Sequence, residues 1–447
     1  MFGDRQGRHL QPGRLIEQLV NPARAVKERK LGVKMKVNEV LVSHGIGKPA
    51  VANATAMSHR SASRVGGRSY YSGVLFPRTT ISCVGAVFFL ALLGGRVLDA
   101  AVAFPLVVKW TVKLPAPPAF APGFDNDYAY LALRTDQLVA VSLKDGTTAW
   151  SVECPVSAAP VAGDGLVFAG RDGVIEARAQ GDGVAQWRRP IEGRVVSLHW
   201  DTGWLLASTA SGPLLALRAV DGEILWQRDL GAPLQAPPAA SGDRLYLGLK
   251  DGRVLALSLQ TGTDIWTRKL AEAAVGILPV GDRVFVSGLD NQMHALDAKD
   301  ADPDWEWRTG ADVLGLPVLD QKRVYFVALD NVLRGHDRNS GSMLWKRVLP
   351  MRPFTGPLLS GETIIVAGVA SELHAYNAFD GKPTGTPFAL KGAENEEMLL
   401  AAPPHLAPQD LVILVTKGGQ VRALGSTPPP EAAPAEATPP EAAPPVP

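Results

Sequence analysis

The chain has 447 residues, of which 46% are hydrophobic, a composition typical of a globular protein with an ample core. Its formal net charge of +1 conceals an asymmetry. Residues 1–80 carry 14 basic against 4 acidic side chains, whereas from Phe104 onward 30 basic side chains face 39 acidic ones. Binding of nucleic acid needs clustered positive charge, which this acidic main part lacks. Nucleic acid is therefore excluded as the main partner.

The first 73 residues form a basic leader that is rich in Arg, Ser and Gly and has no sustained periodicity. We expect this leader to be disordered. An export signal rarely follows so long a preface, so we also expect translation to start later, near Met57 or at Val74.

Residues 74–103 predict a secretory signal peptide. An uncharged apolar run at 81–95 follows Arg78 and precedes Ala101-x-Ala103, which is the order of basic flank, apolar core and small-residue cleavage site. The run is short for a membrane span, which needs about 20 residues. We expect cleavage after Ala103. An uncleaved membrane anchor is the first alternative, and a buried core helix is the second.

The chain contains two cysteines, Cys83 and Cys154. Cleavage of the signal would leave Cys154 alone, so we expect no internal disulfide. Cys83 precedes its apolar run and lacks an aliphatic residue three positions earlier. We therefore do not expect a lipoprotein.

Residues 104–425 repeat one phrase, in which a small residue stands ten positions before a tryptophan. The phrase ends at Trp150, Trp187, Trp226, Trp266, Trp305 and Trp345, at spacings of 37 to 40 residues. Self-similarity at a fixed period is the signature of a repeat architecture.

Each period predicts four antiparallel strands. In the block from Ser241, two alternating runs are joined by Asp251-Gly252, a hairpin signal because both turn positions need positive φ. The matching first turns are Thr135-Asp136, Asp172-Gly173, Ser211-Gly212, Asp290-Asn291, Asp330-Asn331 and Gly418-Gly419. The second turns are Asp145-Gly146, Asp182-Gly183, Asp221-Gly222, Thr261-Gly262, Ser340-Gly341 and Asp380-Gly381.

Four-stranded units of about 40 residues are typical of a β-propeller. We predict an all-β, eight-bladed β-propeller of four-stranded antiparallel blades over 104–425, with seven blades as the alternative. The last block stops before its outer strand, whereas the segment around Trp110 has an outer strand and no inner ones. We expect the N- and C-terminal strands to close the ring together.

The segment at 426–447 consists mainly of Pro, Ala and Glu, which predicts a disordered tail.

The phrase Ala-x-Asp-x-x-x-Gly-x-x-x-Trp resembles the tryptophan-docking repeat of the propellers that are similar to pyrroloquinoline-quinone (PQQ) proteins. The resemblance covers about 104–425 and is loosest at the third position. Its glycines are Gly146, Gly183, Gly222, Gly262 and Gly341, and its tryptophans are those that end the phrase. The resemblance implies that each tryptophan packs over the neighbouring blade and is structural, not a cofactor platform.

Two branches of this family differ in function. Quinoprotein dehydrogenases hold PQQ between a tryptophan and a disulfide of adjacent cysteines, with a bound calcium. This chain has no adjacent cysteines. The other branch, BamB, is an eight-bladed scaffold of outer-membrane protein assembly, which the chain resembles in size, export signal and blade number. Its missing lipid-attachment cysteine and its Pro-rich tail depart from that branch.

We expect no catalytic, cofactor-binding or metal-ligating residues. His294, His336 and His374 recur on successive blades, which keeps them apart. The acidic stretches at 300–307 and 394–398 favour a solvated turn and a solubilising surface loop, with a cation or peptide contact as the alternative for 300–307. Apolar connections at 231–238 and 349–357 would either offer Leu, Met and Phe to a protein partner or fill the central channel.

The sequence therefore predicts a non-catalytic, monomeric propeller scaffold without cofactor, exported to the periplasm or the outer membrane. Its expected partners are proteins of the cell envelope, foremost the outer-membrane assembly machinery, and we expect no integral membrane span in the mature chain. The alternatives are a PQQ-dependent dehydrogenase and a sensor propeller that binds a small ligand or a polysaccharide. The fold by itself does not decide among them.

Overall fold

The structure is a computed structural model that describes residues 101–210, 212–391 and 398–427. The leader at 1–73, the signal segment up to residue 100 and the tail beyond Thr427 lie outside the described residues. The chain divides into two compact units, Met1–Leu90 and Ala91–Pro447, and every described residue belongs to the second. The domain boundaries drawn from the sequence stay predictions.

Antiparallel strands are the regular elements of the described residues, which contain no helix and thus none that could cross a membrane. In chain order the strands are β1 (Leu106–Lys113), β2 (Gly123–Phe124), β3 (Tyr128–Ala132), β4 (Gln137–Ser142), β5 (Thr148–Glu153), β6 (Val161–Gly163), β7 (Leu166–Ala179), β8 (Ala185–Asp201), β9 (Trp204–Thr209), β10 (Pro213–Arg218), β11 (Ile224–Asp229), β12 (Ala239–Ser241), β13 (Arg244–Gly248), β14 (Arg253–Ser258), β15 (Asp264–Lys269), β16 (Ala274–Val280), β17 (Arg283–Gly288), β18 (Gln292–Asp297), β19 (Pro303–Arg308), β20 (Val318–Leu319), β21 (Arg323–Ala328), β22 (Val332–Asp337), β23 (Met343–Val348), β24 (Leu358–Ser360), β25 (Thr363–Ala367), β26 (Glu372–Asn377), β27 (Phe388–Ala389), β28 (His405–Ala407), β29 (Leu411–Val415) and β30 (Gln420–Ser426).

These strands form seven antiparallel sheets, which are the blades of an all-β propeller. The first sheet is β2–β5, the second β6–β11, the third β12–β15, the fourth β16–β19, the fifth β20–β23 and the sixth β24–β27; the seventh combines β28–β30 with β1. Every sheet has four strands except the second, which has six.

The predicted count of eight blades is wrong, because two repeats of the sequence share the second sheet. Strand β8 is 17 residues long. It pairs with β7 up to Arg194 and with β9 from Val195 onward, so no loop separates the outer strand of one repeat from the inner strand of the next. The second sheet consequently carries two copies of the tryptophan phrase, at Trp187 and Trp226.

The N-terminal strand β1 completes the seventh sheet. It pairs antiparallel with β30 from Leu106 opposite Ser426 to Lys113 opposite Gln420, with one irregularity between Val108 and Trp110. Trp110 therefore takes, in this sheet, the outer-strand position that the other phrases give to their own tryptophans.

The middle strands are buried on both faces, because each sheet packs between two neighbours. In β13 four successive residues, 245–248, are buried, whereas the outer strand β15 alternates between exposed and covered positions. Continuous burial favours the apolar and β-branched residues that fill these strands. The cores therefore lie between sheets.

Each repeated tryptophan docks on the next repeat, as the resemblance implied. Its indole N–H donates to a backbone carbonyl at 2.7–3.2 Å. Its ring also covers a glycine of the next repeat, and a Cβ added to that glycine would lie 2.5–2.8 Å from the nearest tryptophan atom. The tryptophan–carbonyl pairs are Trp110–Leu143, Trp150–Gln180, Trp187–Ala219, Trp226–Leu259, Trp266–Ala298, Trp305–Arg338 and Trp345–Ala378. Ala301 replaces the covered glycine opposite Trp266, at a φ of 64°.

An arginine two residues after the tryptophan adds a second tie between repeats. The Arg228 guanidinium donates to the carbonyl of Gly262 at 2.7 Å, and that of Arg347 donates to the carbonyl of Gly381 at 2.8 Å. The glycine that packs under the indole ring therefore also accepts a hydrogen bond from the arginine through its carbonyl oxygen.

The glycine under the ring meets two demands at once, and paired substitutions separate them. Gly262 lies under Trp226 at a φ of +67°, whereas Gly242 has a φ of +62° with no atom within 4 Å of an added Cβ. Gly242→Ala should cost about 1 kcal/mol for the left-handed backbone alone. Gly262→Ala should cost about 3 kcal/mol, because the methyl group also displaces the indole. Urea unfolding measures both, and equal costs would contradict the dock.

Candidate protein-interaction surface

The three histidines that recur in the sequence lie on different sheets. His294 is on β18, His336 on β22 and His374 on β26. Within the described part of the chain, no group of three His, Cys, Asp or Glu side chains is placed to hold a metal ion.

His294 joins a turn to the outer strand of the fourth sheet. Its Nε2 lies 3.0 Å from Asp290 Oδ2 and its Nδ1 lies 3.1 Å from Glu306 Oε1. Burial opposes the charged imidazolium, but the hydrogen bonds and charges of Asp290 and Glu306 outweigh it and raise the pKa of His294 above its ordinary 6.5. This histidine is a structural ion-pair partner.

His336 and His374 also have structural surroundings. Nδ1 of His336 lies 2.8 Å from the carbonyl oxygen of Gly341, and its ring meets the Trp307 ring edge-on at 4.6 Å. Burial lowers the pKa of His336 to about 4, so it is neutral at physiological pH. His374 Nε2 lies 3.1 Å from Glu372 Oε2.

Cys154 belongs to a buried ionic network between the first and second sheets. Its Sγ donates to Glu176 Oε1 at 3.2 Å, and burial together with that carboxylate raises the pKa of the thiol to about 11. Glu176 is fully buried and receives Arg178 Nε at 2.7 Å and Arg188 Nε at 3.0 Å. The cysteine is therefore a buried thiol with little thiolate character.

The acidic stretch at 300–307 combines an exposed turn with the outer strand β19, and its acidic side chains Asp300, Asp302, Asp304 and Glu306 are exposed. Asp304 pairs with Arg283 at 2.5 Å, Trp305 docks on the fifth sheet and Trp307 contacts His336. Residues 394–397 of the second acidic stretch lie outside the described residues, and Met398 packs against a core cluster.

The connections between sheets and the turns between second and third strands share one end of the propeller, which we call the loop face. Backbone hydrogen bonds join the two kinds of segment all around it. Among these bonds are Arg134–Pro117, Lys250–Pro233, Leu289–Ala273, Leu329–Asp312, Leu349–Asn331, Val369–Arg352 and Lys417–Leu399. The tryptophan docks lie at the opposite end, on the turns between third and fourth strands.

A cleft of about 340 Å³ opens on the loop face where the sixth sheet meets the seventh. Val369 and Leu399 stand on its walls with 50% and 46% of their surface exposed. Gly368 allows the side chains of Met351 and Glu372 to approach its backbone closely, because an added Cβ would lie 2.9 Å from each of them. The lining residues are Pro350, Met351, Arg352, Val369, Ala370, Glu372 and Leu399.

The connection at 349–357 is divided between the core and this surface. Leu349 and Met351 are buried, whereas Phe354 is 36% exposed. Its Gly356 touches the neighbouring connection, which exposes Leu316 at 44%. Leu316 and Phe354 are thus two exposed apolar residues of adjoining connections, which we call the apolar strip; large exposed apolar residues of this kind occur at sites that bind partners.

The connection at 231–238 contributes less to this surface. Leu234 is half-buried against the core and bridges to Leu249, so the second apolar connection of the sequence folds inward.

The loop face of the fourth and fifth sheets is acidic. Burial raises the pKa of Asp312, and the nearby charges of Asp290 and Glu272 raise it further. Asp290 is buried and paired with His294, so the accessible negative charge at this edge is that of Asp312 and the exposed Glu272, which favours a partner that brings positive charge.

The fold and the repeated dock define the class of protein, a PQQ-like β-propeller. The chain matches the family described as "Outer membrane protein assembly factor BamB" over residues 108–198, 171–280 and 250–386, which together cover more than half of it. The chain therefore belongs to that family.

Relatives that bear the same description agree at low identity. The Yersinia pestis protein is 24% identical over 54% of this chain and 64% of its own length. The Burkholderia pseudomallei protein is 25% identical over 59% of this chain and 83% of its own, and the Xanthomonas campestris protein 25% over 68% and 80%. The chain thus spans just under two thirds of the first relative and more of the other two.

Solved structures show the same fold. The crystal structure of BamB from Moraxella catarrhalis superposes with a TM-score of 0.59 at 19% identity, covering 72% of this chain and 97% of that one. The computationally designed Ika8 protein gives 0.60 at 13% identity, covering 71% and 99%. At these identities the likeness concerns the fold alone.

The Glu176 network should contribute strongly to stability, because Glu176 neutralises the buried Arg178. Glu176→Gln keeps the shape and leaves Arg178 without a counter-charge, so we expect a loss of about 3–5 kcal/mol in urea unfolding. Glu223→Gln is the control, since Glu223 pairs with Arg218 at the surface and is 56% exposed. It should change nothing measurable. A small effect of Glu176→Gln would contradict the network.

His294 should make stability depend on pH. Its pKa is raised on folding, so its contribution is fully present below about pH 6.5 and is lost as pH rises through the folded-state pKa. The margin of wild type over His294→Gln should therefore be larger at about pH 5.5 than at about pH 8.5. The comparison with the variant is necessary, because burial lowers the pKa of His199, His336 and His405 and their contributions run the other way. A margin that does not change with pH in urea unfolding would refute the ion pairs.

Proposed function

We propose that this chain is a non-catalytic scaffold of the cell envelope that binds a protein partner through the loop-face cleft and serves in outer-membrane protein assembly. The observation that carries the proposal is the cleft itself, whose walls expose Val369 and Leu399, and the apolar strip of Leu316 and Phe354 adds two exposed apolar residues. The named role of its relatives gives the process. Export to the periplasm or the outer membrane and a monomeric state belong to the same proposal.

The geometry of the face suits a protein partner. The docks that hold the sheets together lie at the other end, so exposed loop-face side chains such as Val369 can vary without disturbing them. The partner that fits carries apolar side chains for the cleft and positive charge for the acidic edge around Asp312.

The residues present do not fit PQQ held as in the dehydrogenases. That arrangement needs two adjacent cysteines, and the one described cysteine, Cys154, is buried with its thiol on Glu176 between two sheets. The tryptophans of the repeat are committed to docks. The proposal therefore includes no cofactor and no reaction.

Two valines test which face binds. Val369 lies in a loop-face turn, and Val220 lies at the opposite end with 67% of its surface exposed. Val369→Asp should reduce recovery of outer-membrane assembly components in an envelope pull-down at least about tenfold, because a charge in an apolar contact costs about 1.4 kcal/mol or more. Val220→Asp should leave recovery unchanged.

Thermal unfolding of both variants controls for folding. Equal recovery by wild type and Val369→Asp would reject the cleft as the site. Recovery of no assembly component by wild type would reject the proposed process, and stoichiometric binding of PQQ with Ca²⁺ would favour the dehydrogenase.

A further inference from the structure

One junction between sheets lacks a tryptophan dock. In the sixth sheet the repeated phrase reaches Gly385 at the tryptophan position, and the outer strand β27 is only two residues long. The sixth sheet therefore reaches the seventh without the indole that ties each of the other described repeats to the next.

The residues that precede β1 fill this junction. Val102 is 1% exposed and packs in one cluster with Ile365 and Leu373 of the sixth sheet and with Val412 and Leu424 of the seventh. The cluster belongs to both sheets, so Val102 supplies apolar contact at the junction that has no tryptophan.

Phe104 lies directly against the glycine that replaces the tryptophan. A Cβ added to Gly385 would lie 2.5 Å from Phe104 Cβ. Any larger residue at 385 would displace the segment, so the missing indole and the N-terminal segment occupy neighbouring space.

Hydrogen bonds hold the same segment to both sheets. The backbone N–H of Val102 donates to Ser360 Oγ at 3.0 Å, and that of Ala103 donates to Ser426 Oγ at 2.7 Å. Ala101 passes the turn of the sixth sheet so closely that a Cβ on Gly361 would lie 2.6 Å from Ala101 Cβ. The close packing against Gly361 therefore explains a small residue at position 101 without a cleavage signal.

We propose that Val102 and Ala103 are part of the folded propeller and that the export segment is not cleaved after Ala103. A cut at that point would remove the buried valine and both backbone donors, and would open the one junction that has no tryptophan. The mature chain begins at Val102 or upstream of it. This inference does not depend on the proposed function.

The test uses the full chain with a C-terminal tag, expressed in a Gram-negative bacterium and recovered from both membrane and soluble fractions. The N-terminus of the tagged product is read by intact mass and by N-terminal sequencing. We expect a first residue at or before Val102. A product that begins at Ala103 or later overturns the proposal.

Ala103→Asp gives an independent check on processing. Ala103 is exposed, and aspartate is not accepted at the last position before a small-residue cleavage site. If no cut occurs after Ala103, the variant yields the same N-terminus as the wild type. Accumulation of a longer product in the variant would show that this site is used and would overturn the proposal.

Val102→Asp and Ala103→Asp form a matched pair for the packing claim, with the same new side chain at a buried and an exposed position. Val102→Asp should lower the melting temperature of the purified product by about 4 °C or more, whereas Ala103→Asp should stay close to wild type. Equal melting temperatures for the two variants would overturn the role of Val102 at the junction.

Discussion

The contact of a tryptophan ring with a glycine of the next repeat is the constraint on which this propeller depends. The ring packs closely on a residue without a Cβ and the turn needs a residue at positive φ, and glycine meets both conditions at Gly183 and Gly262. Opposite Trp266, Ala301 keeps the positive φ although it has a Cβ. The indole N–H donates to a backbone carbonyl at the same turn, so the partly buried indole donor has a partner. One repeated unit thus links successive blades by shape and by hydrogen bonding.

The docks lie at the end of the sheets opposite the surface that we propose for recognition. They occupy one end of the sheets, whereas the cleft, the apolar strip and the acidic edge occupy the other. Loops that carry no structural contact of this kind can differ between proteins of the same fold, which is consistent with the identities of 21–25% between this chain and three relatives.

The sequence predicted what local chemistry determines. The first turns lie where the hairpin signals placed them, but only their second residue, as at Asp136, Asn291 and Asn331, has positive φ, whereas both positions were expected to. The resemblance of the tryptophan phrase implied the docks. The sequence missed what depends on contacts between distant residues. The structure has seven blades where the sequence predicted eight, because β8 continues without a loop through the short link before Arg194.

The candidate site could be predicted only in part for the same reason. The apolar connection at 349–357 was visible in the sequence, but its division into buried Met351 and exposed Phe354 depends on the neighbouring turn. Val369 and Leu399 are far apart along the chain and meet only because the sixth and seventh sheets adjoin. Val102 was read as part of a cleavage signal, since nothing local shows that it is buried.

The measurement that tests the central claim most directly is the outer-membrane proteome of cells that lack this chain. The account predicts a reduced content of outer-membrane β-barrel proteins, restored by the wild-type chain and not by a chain whose cleft carries a charge at Val369. An unchanged outer-membrane proteome, or full restoration by the cleft variant, would contradict it.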